Sequence, residues 1–410
     1  MGKKFSEKVD AAKWLITLFA LAVFLPAGLM AKQSMAVVFI LVVFGLFLCT
    51  LVTRPSFLIP NKTVIFSFVL LCGYVAFTHY TTVTCTPCAD KAFGKVLFFA
   101  LVIWVASSRL VLMPTLKFSS LCNVLLISII FSICYLALEL VMDAYVYRTA
   151  TGRLSDPSVA LSRFNRGTSA LIILIWPTLF LVFHKGFKLA AVFLLISAFC
   201  IATLGDSNSA IASVILAVIA AVLTWIYPRF TLGLIIITVI GFSLLVPIIF
   251  LHLLEWFQPV ANIIPPSTLD RLEIWHRSAV AVIEQPVLGY GIGVSRYLPI
   301  PPELASLYKY FTVPTTHPHN APIQIWLELG SIGLGIMLLL ICFVCVPMKN
   351  LRGECRVTVV AASVAIIFTG FVSYGFWQET WLSIIGMTVI LFKLIEQAIP
   401  DVTTSANNIP

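Results

Sequence analysis

Long apolar stretches separated by short charged ones run along the whole chain. Apolar windows fall at 14–31, 35–52, 63–79, 92–107, 119–141, 167–183, 189–204, 208–227, 232–253, 322–346, 357–375 and 379–396. Most approach the ~20 residues that a helix needs to cross a bilayer, the fourth and seventh being the shortest. The pattern predicts an all-α polytopic membrane protein of about 12 transmembrane helices. It divides the chain into transmembrane helices 1–9 over 1–253, a large loop over 254–321, and helices 10–12 with a tail over 322–410.

Composition narrows this further. Of 410 residues, 60% are hydrophobic and 10% charged, against about 25% charged in a typical soluble domain. A soluble fold, a β-barrel of alternating apolarity and a single-span receptor are excluded. The net charge of +9 would suit nucleic acid, but no basic run exceeds Lys3-Lys4. The cations sit between the apolar windows, as membrane orientation requires. With the Lys-rich start (Lys3, Lys4, Lys8, Lys13) in the cytoplasm, alternation puts Arg54, Lys62, Arg109, Lys117, Lys185, Lys188, Arg229, Lys349, Arg352, Arg356 and Lys393 on that side too. The opposite short loops hold only Lys32, Lys91 and Lys95. Both termini are therefore expected in the cytoplasm. The first window is longer than a signal-peptide core and is expected to be retained. The polar tail from Asp401 is expected to be disordered.

Two outer segments break the rule of short connections. One, about 142–166, carries Asp143, Arg148, Arg153, Asp156, Arg163 and Arg166. The other, about 254–321, carries Asp270, Arg271, Glu273, His276, Arg277, Arg296, His317 and His319 among aromatic residues that include Trp256, Trp275, Tyr290, Tyr297, Tyr308 and Tyr310. Long loops on a compact scaffold are commonly functional, so chemistry is expected on the outer face.

Within the large loop, Ser267-Thr268-Leu269-Asp270 reads as a helix start with a capping-box-like acid, and Pro286 stops that helix near Gln285. Leu269, Leu272, Ala279, Val280 and Ile283 recur at helical spacing, and Arg271 and Trp275 share a face. The stretch Pro286-Val287-Leu288-Gly289-Tyr290-Gly291-Ile292-Gly293 could bring backbone amides to an anion, although an ordinary tight turn leaves the same pattern. Thr315-Thr316-His317-Pro318-His319-Asn320-Ala321-Pro322 follows. Its prolines stiffen the segment at a helix mouth, where the positive helix end opposes histidine protonation. A neutral imidazole there could accept a proton from a hydroxyl; a histidine that only caps the helix is the alternative. Gly330, Gly333 and Gly335 thin one face of the next helix for close packing. Arg163 and Arg166, three apart, could share a face as a guanidinium clamp on phosphate or could snorkel to lipid headgroups.

Cys49, Cys72, Cys122, Cys134 and Cys200 are isolated in apolar stretches and read as buried small hydrophobes. Cys85 and Cys88 form one C-x-x-C without a second pair, which argues against zinc and leaves a local disulfide open. No D-x-D pair, Walker loop, G-x-S-x-G elbow or H-E-x-x-H occurs, so no metal and no cofactor are expected. Glu139, Asp206, Glu328 and Glu379 fall near outer helix ends, where pairing with the arginines and simple hydration both stay open.

His319-Asn320, nine residues, then Gly330-x-x-Gly333 resembles the H-[NSQ]-x9-G-x-x-G signature of the O-antigen ligase family. Arg271-x3-Trp275-x10-Pro286-x2-Gly289-x-Gly291 is similar to that family's large periplasmic loop. Members often have an arginine in a Ser-Arg-Gly-like stretch opening a membrane helix. Here that window reads Asp206-Ser207-Asn208-Ser209, and Arg166 is the candidate substitute. The resemblance implies a GT-C-like helical fold in the bacterial inner membrane with its active site on the periplasmic face. It also implies inverting, metal-independent transfer of O-antigen from undecaprenyl diphosphate to lipid A–core. Residue by residue it implies His319 as general base and Arg271 and Arg166 on the diphosphate with Arg163 in support. Asn320, Trp275, Gly289, Gly291, Gly330 and Gly333 carry the motifs. Overall length and one large loop favour the ligase over two relatives, the O-antigen polymerases and protein O-oligosaccharyltransferases. A flippase or secondary transporter of lipid-linked sugars is the alternative of another class, against which the charges gather on the outer side rather than at the midplane.

Overall fold

The computed structural model describes residues 3–31, 33–82, 86–113, 117–154, 156, 161–205, 207–298, 302, 315–345 and 350–399. Lys32, Cys85, Asp206, Tyr308, Tyr310, Lys349, the side chains of Cys88 and Lys91, and the tail from Asp401 lie outside the described residues. The Cys85–Cys88 disulfide left open by the sequence and the tail expected to be disordered therefore lie outside them as well.

The apolar windows become helices because a backbone in hydrocarbon must satisfy its own N–H and C=O groups. In chain order they are α1 (Lys3–Met30), α2 (Ser34–Thr53), α3 (Lys62–Thr82), α4 (Thr86–Ser107) and α5 (Phe118–Val141). A short α6 (Tyr145–Ala150) lies in the first outer segment. Then come α7 (Asn165–His184), α8 (Lys188–Leu204), α9 (Asn208–Ile226) and α10 (Pro228–Phe257). The amphipathic α11 (Pro266–Glu284) precedes α12 (Ala321–Cys345), α13 (Gly353–Val372) and α14 (Glu379–Ala398).

Ten of these helices are long and apolar enough to cross a membrane. Shorter apolar helices at Gly94–Ser107 and Lys188–Leu204 occupy the fourth and seventh windows, the shortest in the sequence. The chain is a multi-pass helical membrane protein. Turn chemistry ends the spans where expected. Pro228 opens α10 at its first position, where a missing N–H is harmless, and Gly186, at φ +87°, takes the left-handed turn between α7 and α8.

Contacts sort the helix ends into two faces. At one face, Asp10 of α1 pairs with Arg54 at 3.1 Å, and Trp104 Nε1 donates to Leu58 O at 2.7 Å. There Lys393 Nζ donates to the Val105 and Ser108 carbonyls at 2.8 and 2.7 Å. At the other face lie the end of α1, the start of α7, the start of α12 and the connection from α13 to α14. Helix α7 runs through the middle, with every residue from Gly167 to Val182 buried. It packs against α8, α5, α13 and α14, and Gly167 lets the Leu29 side chain of α1 approach its backbone.

The large loop holds the predicted helix with a different start. Helix α11 opens one residue before Ser267, at Pro266, and its N-cap Pro265 makes no side-chain cap. The capping box does not form, because the proline pair preorganises the first turn without it. Leu269, Leu272 and Ala279 are buried against α10 and α12, whereas Ile283 is exposed.

Candidate active site

The first turn of α12 is built by Asn320. Its Oδ1 accepts from Ile323 N at 2.9 Å as an N-cap, and its Nδ2 donates to Phe371 O at 2.6 Å. The cap thus ties the start of α12 to the end of α13. Pro322 falls within that first turn. His319, immediately before the cap, has φ +57°, a left-handed conformation uncommon outside glycine. Trp275 Nε1 donates to Pro318 O at 2.8 Å, and the same ring stacks on Phe250 at 4.7 Å. Helix α11 therefore braces the histidine segment from the side.

Among the described residues the imidazole of His319 is oriented by one hydrogen bond, Nδ1 to Ser373 O at 2.9 Å. A carbonyl only accepts, so Nδ1 carries the proton and Nε2 is left with its lone pair. Burial holds the His319 pKa below its ordinary value; Arg271 and Arg166 push the same way, against the Ser373 bond and Asp270. His317 lies 4.3 Å away, ring centroid to centroid. Its Nδ1 meets Thr316 Oγ1 at 2.8 Å and its Nε2 meets Gln378 Nε2 at 3.0 Å. Burial, then the charges of His319, Lys95 and Arg166, hold its pKa at about 3. Two neutral imidazoles thus stand together at the helix mouth.

The arginines divide. Arg271 acts on His319 from α11; burial opposes its charge and Asp270 supports it. Arg166, in the first turn of α7, acts on His319 and His317, and its carbonyl accepts from Tyr374 Oη at 3.5 Å. Arg163 goes elsewhere. It belongs to a separate 3₁₀ turn (Leu161–Phe164), and its guanidinium sits 3.0 Å from the Tyr147 ring centroid. The three-residue spacing does not make one helical face, because the helix begins only at Asn165.

Gly289 and Gly330 have a role other than those weighed in the sequence. Helix α12 is interrupted at Gly330, with φ 62° and ψ −166°. The turn after α11 fits into the interruption. Tyr290 N donates to Leu327 O at 2.8 Å, Gly291 N to Glu328 O at 2.9 Å, and Ser331 N to Pro286 O at 2.9 Å. A Cβ on Gly289 (φ +70°) would stand 2.7 Å from the α12 backbone, and one on Gly330 would collide with the Val287 carbonyl. The Gly289 and Gly291 amides nearest α12 serve backbone carbonyls rather than an anion, and Gly330 breaks the helix rather than thinning it. Gly333 fits the packing reading better: its Cβ would meet Leu329 and, at 3.1 Å, Tyr74.

Sequence reasoning missed the connection from Ser373 to Gln378, which orients His319, His317 and α12 together. Its signal was present as an aromatic Ser-Tyr-Gly-Phe-Trp-Gln run on the outer side by alternation. Lys95, counted only as an outer charge, acts on both His317 and Glu328. Among the described residues, no three His, Cys, Asp or Glu side chains converge as a metal site. The cluster as a whole can accept a proton at His319 Nε2 next to cations able to steady an anion.

Comparison with known proteins bears on this arrangement. Residues 190–338 match the family profile described as O-Antigen ligase. That stretch contains Arg271, Trp275, His319, Asn320 and all four motif glycines, but neither Arg166 nor the Ser373–Gln378 connection. A provisionally named polysaccharide ligase of Rickettsia conorii is 30% identical over 257 residues, 61% of each chain. Similarly named proteins of Rickettsia typhi and Rickettsia felis are 29% and 28% identical over 259 and 289 residues, covering 61–62% and 68% of the chains. The similarity thus spans about three-fifths of the length of the first two relatives.

Proposed function

We propose, from a chain that carries an O-antigen ligase domain over residues 190–338, that it is an inverting glycosyltransferase acting on a polyprenyl-diphosphate-linked glycan. The donor is O-antigen on undecaprenyl diphosphate and the acceptor a hydroxyl of lipid A–core, at the periplasmic face of the bacterial inner membrane. In this reading both termini are cytoplasmic, and the segment 254–321 forms the periplasmic loop over the site.

The observation that carries the proposal is the His319 ring, oriented by the Ser373 carbonyl with its Nε2 unpaired among the described residues and under the charges of Arg271 and Arg166. His319 takes the proton of the acceptor hydroxyl as the oxygen attacks the anomeric carbon. The diphosphate leaves from the opposite side, and the configuration inverts. Charge developing on the leaving group is met by the half-buried Arg271 and Arg166, cations placed where that charge appears. Arg163, engaged with Tyr147, supports the outer segment that carries Arg166 rather than touching phosphate. The reaction requires no divalent metal in this scheme, so transfer should persist in chelator; strict dependence on added metal would overturn it.

One feature favours a transporter reading, since interrupted membrane helices often expose carbonyls to an ion. At the α12 interruption, however, the Leu327 and Glu328 carbonyls are taken by Tyr290 and Gly291, and that of Leu329 by Tyr74 Oη at 2.8 Å. The enzyme reading therefore keeps precedence. The decisive experiment offers purified protein a lipid-linked glycan with either lipid A–core or a second lipid-linked glycan as acceptor. Transfer to lipid A–core is expected. Transfer only between the lipid-linked glycans would make the protein a polymerase, and movement without transfer would make it a transporter.

A further inference from the structure

Glu328 lies two turns inside a membrane helix and is wholly buried. A carboxylate at such depth is expensive and calls for a reason. Its surroundings consist of donors. Gln324 Nε2 donates to one oxygen at 2.9 Å and Trp377 Nε1 to the other at 2.6 Å. The Gly293 backbone also bonds to the carboxylate, and Lys95 on α4 adds a positive charge. A carboxyl group offers an acceptor oxygen to each side of this ring of donors; a glutamine would turn an N–H toward one of them.

The donors come from three places: the glycine turn after α11, the α12 helix itself, and the connection between α13 and α14. Gln324 passes the restraint on, because its Oε1 accepts from Phe376 N at 2.7 Å. The connection is thus held at Phe376 and Trp377, three and four residues from Ser373, whose carbonyl orients His319. Asn320 holds the same stretch from its other side at Phe371.

We propose that Glu328 is a positioning residue for His319. Through Gln324 and Trp377 it fixes the 371–378 backbone, and with it the Ser373 carbonyl that selects the Nδ1-protonated tautomer. Without that anchor the ring populates both tautomers, and Nε2 is bare for only part of the time. Glu328 touches neither substrate nor the reacting proton.

This inference rests on His319 acting as the base, so the test begins with His319→Ala. Purified Glu328→Gln and Trp377→Phe proteins are then compared with wild type in steady-state transfer, with thermal melting as a check on folding. Trp377→Phe removes the indole N–H and keeps a smaller aromatic side chain in place, so it provides the reading should Glu328→Gln fail to fold. The expected result is a kcat lower by on the order of tenfold to a hundredfold, with KM for the lipid-linked glycan unchanged. The acidic limb of the pH–rate profile should also move to lower pH, because the Ser373 bond that supports protonation is loosened. A kcat and pH profile equal to wild type in the folded variants, or a rise in KM alone, overturns the role of Glu328 while leaving the base intact. Full activity in His319→Ala overturns both.

Discussion

His319 adopts a backbone conformation that costs an ordinary side chain about 1–2 kcal/mol, and three neighbouring contacts hold it there: Trp275 on Pro318, the Asn320 cap and the Ser373 carbonyl. Strain that is over-determined by its surroundings is typical of functional positions. His319→Asn separates the two roles of this residue, since asparagine tolerates the left-handed region but cannot act as a base. In His319→Asn and His319→Ala, transfer should fall on the order of 10²-fold or more. Melting in detergent should be unchanged or raised for the asparagine variant. Near-wild-type transfer in a folded variant would remove His319 as the base. Because the base must be unprotonated and its pKa is held below the ordinary 6.5, transfer in wild type should stay flat down to that pH and decline only beneath it. A decline that starts above pH 7 would point to another group. Arg271→Lys keeps the charge and loses the planar fork. Loss of one charge-assisted hydrogen bond, worth about 1.5–3 kcal/mol, should lower kcat/KM at least tenfold; full retention would mean that Arg271 does not grip phosphate.

At the scale of elements, the windows in the sequence marked nearly every helix, because apolar run length in a membrane chain is governed by bilayer thickness. The amphipathic helix over the site was legible for the same kind of reason: Leu269, Leu272 and Ala279 repeat at helical spacing. The interruption of α12 was not. Gly330 and Gly333 look like any small-residue spacing, and only the approach of the 286–291 turn to the helix gives Gly330 its φ of 62°. Likewise, Arg163 and Arg166 read as a pair until the helix start at Asn165 divides them. Gly330→Ala and Gly289→Ala should each destabilise by at least about 2 kcal/mol, from backbone strain and from overpacking between two backbones. Gly335→Ala, with nothing within 4 Å of the added methyl, should be nearly neutral. Thermal unfolding of the three variants in detergent checks the contrast, and equal melting temperatures would contradict the interlock.

Over the whole molecule, the site gathers side chains from α4, α7, α11, α12 and the connection between α13 and α14, all at one face. Alternation of spans made that face legible in advance, but not which residues of distant windows meet on it. Tertiary packing alone brings Arg166 and Ser373 to a histidine more than fifty positions from either. Cysteines placed singly at Arg271 and at Lys185 should therefore react from opposite sides of an intact membrane with an impermeant reagent. Labelling of both from one side would refute the arrangement. The fit of the 286–291 turn into α12 also bears on traffic. Lifting that segment would leave the Leu327 and Glu328 carbonyls and the Ser331 N–H without partners, so the floor under the histidine is a weld and not a hinge. In the proposed reaction, a tethered substrate would then be expected to slip in sideways between helices, with its carrier chain never leaving the bilayer.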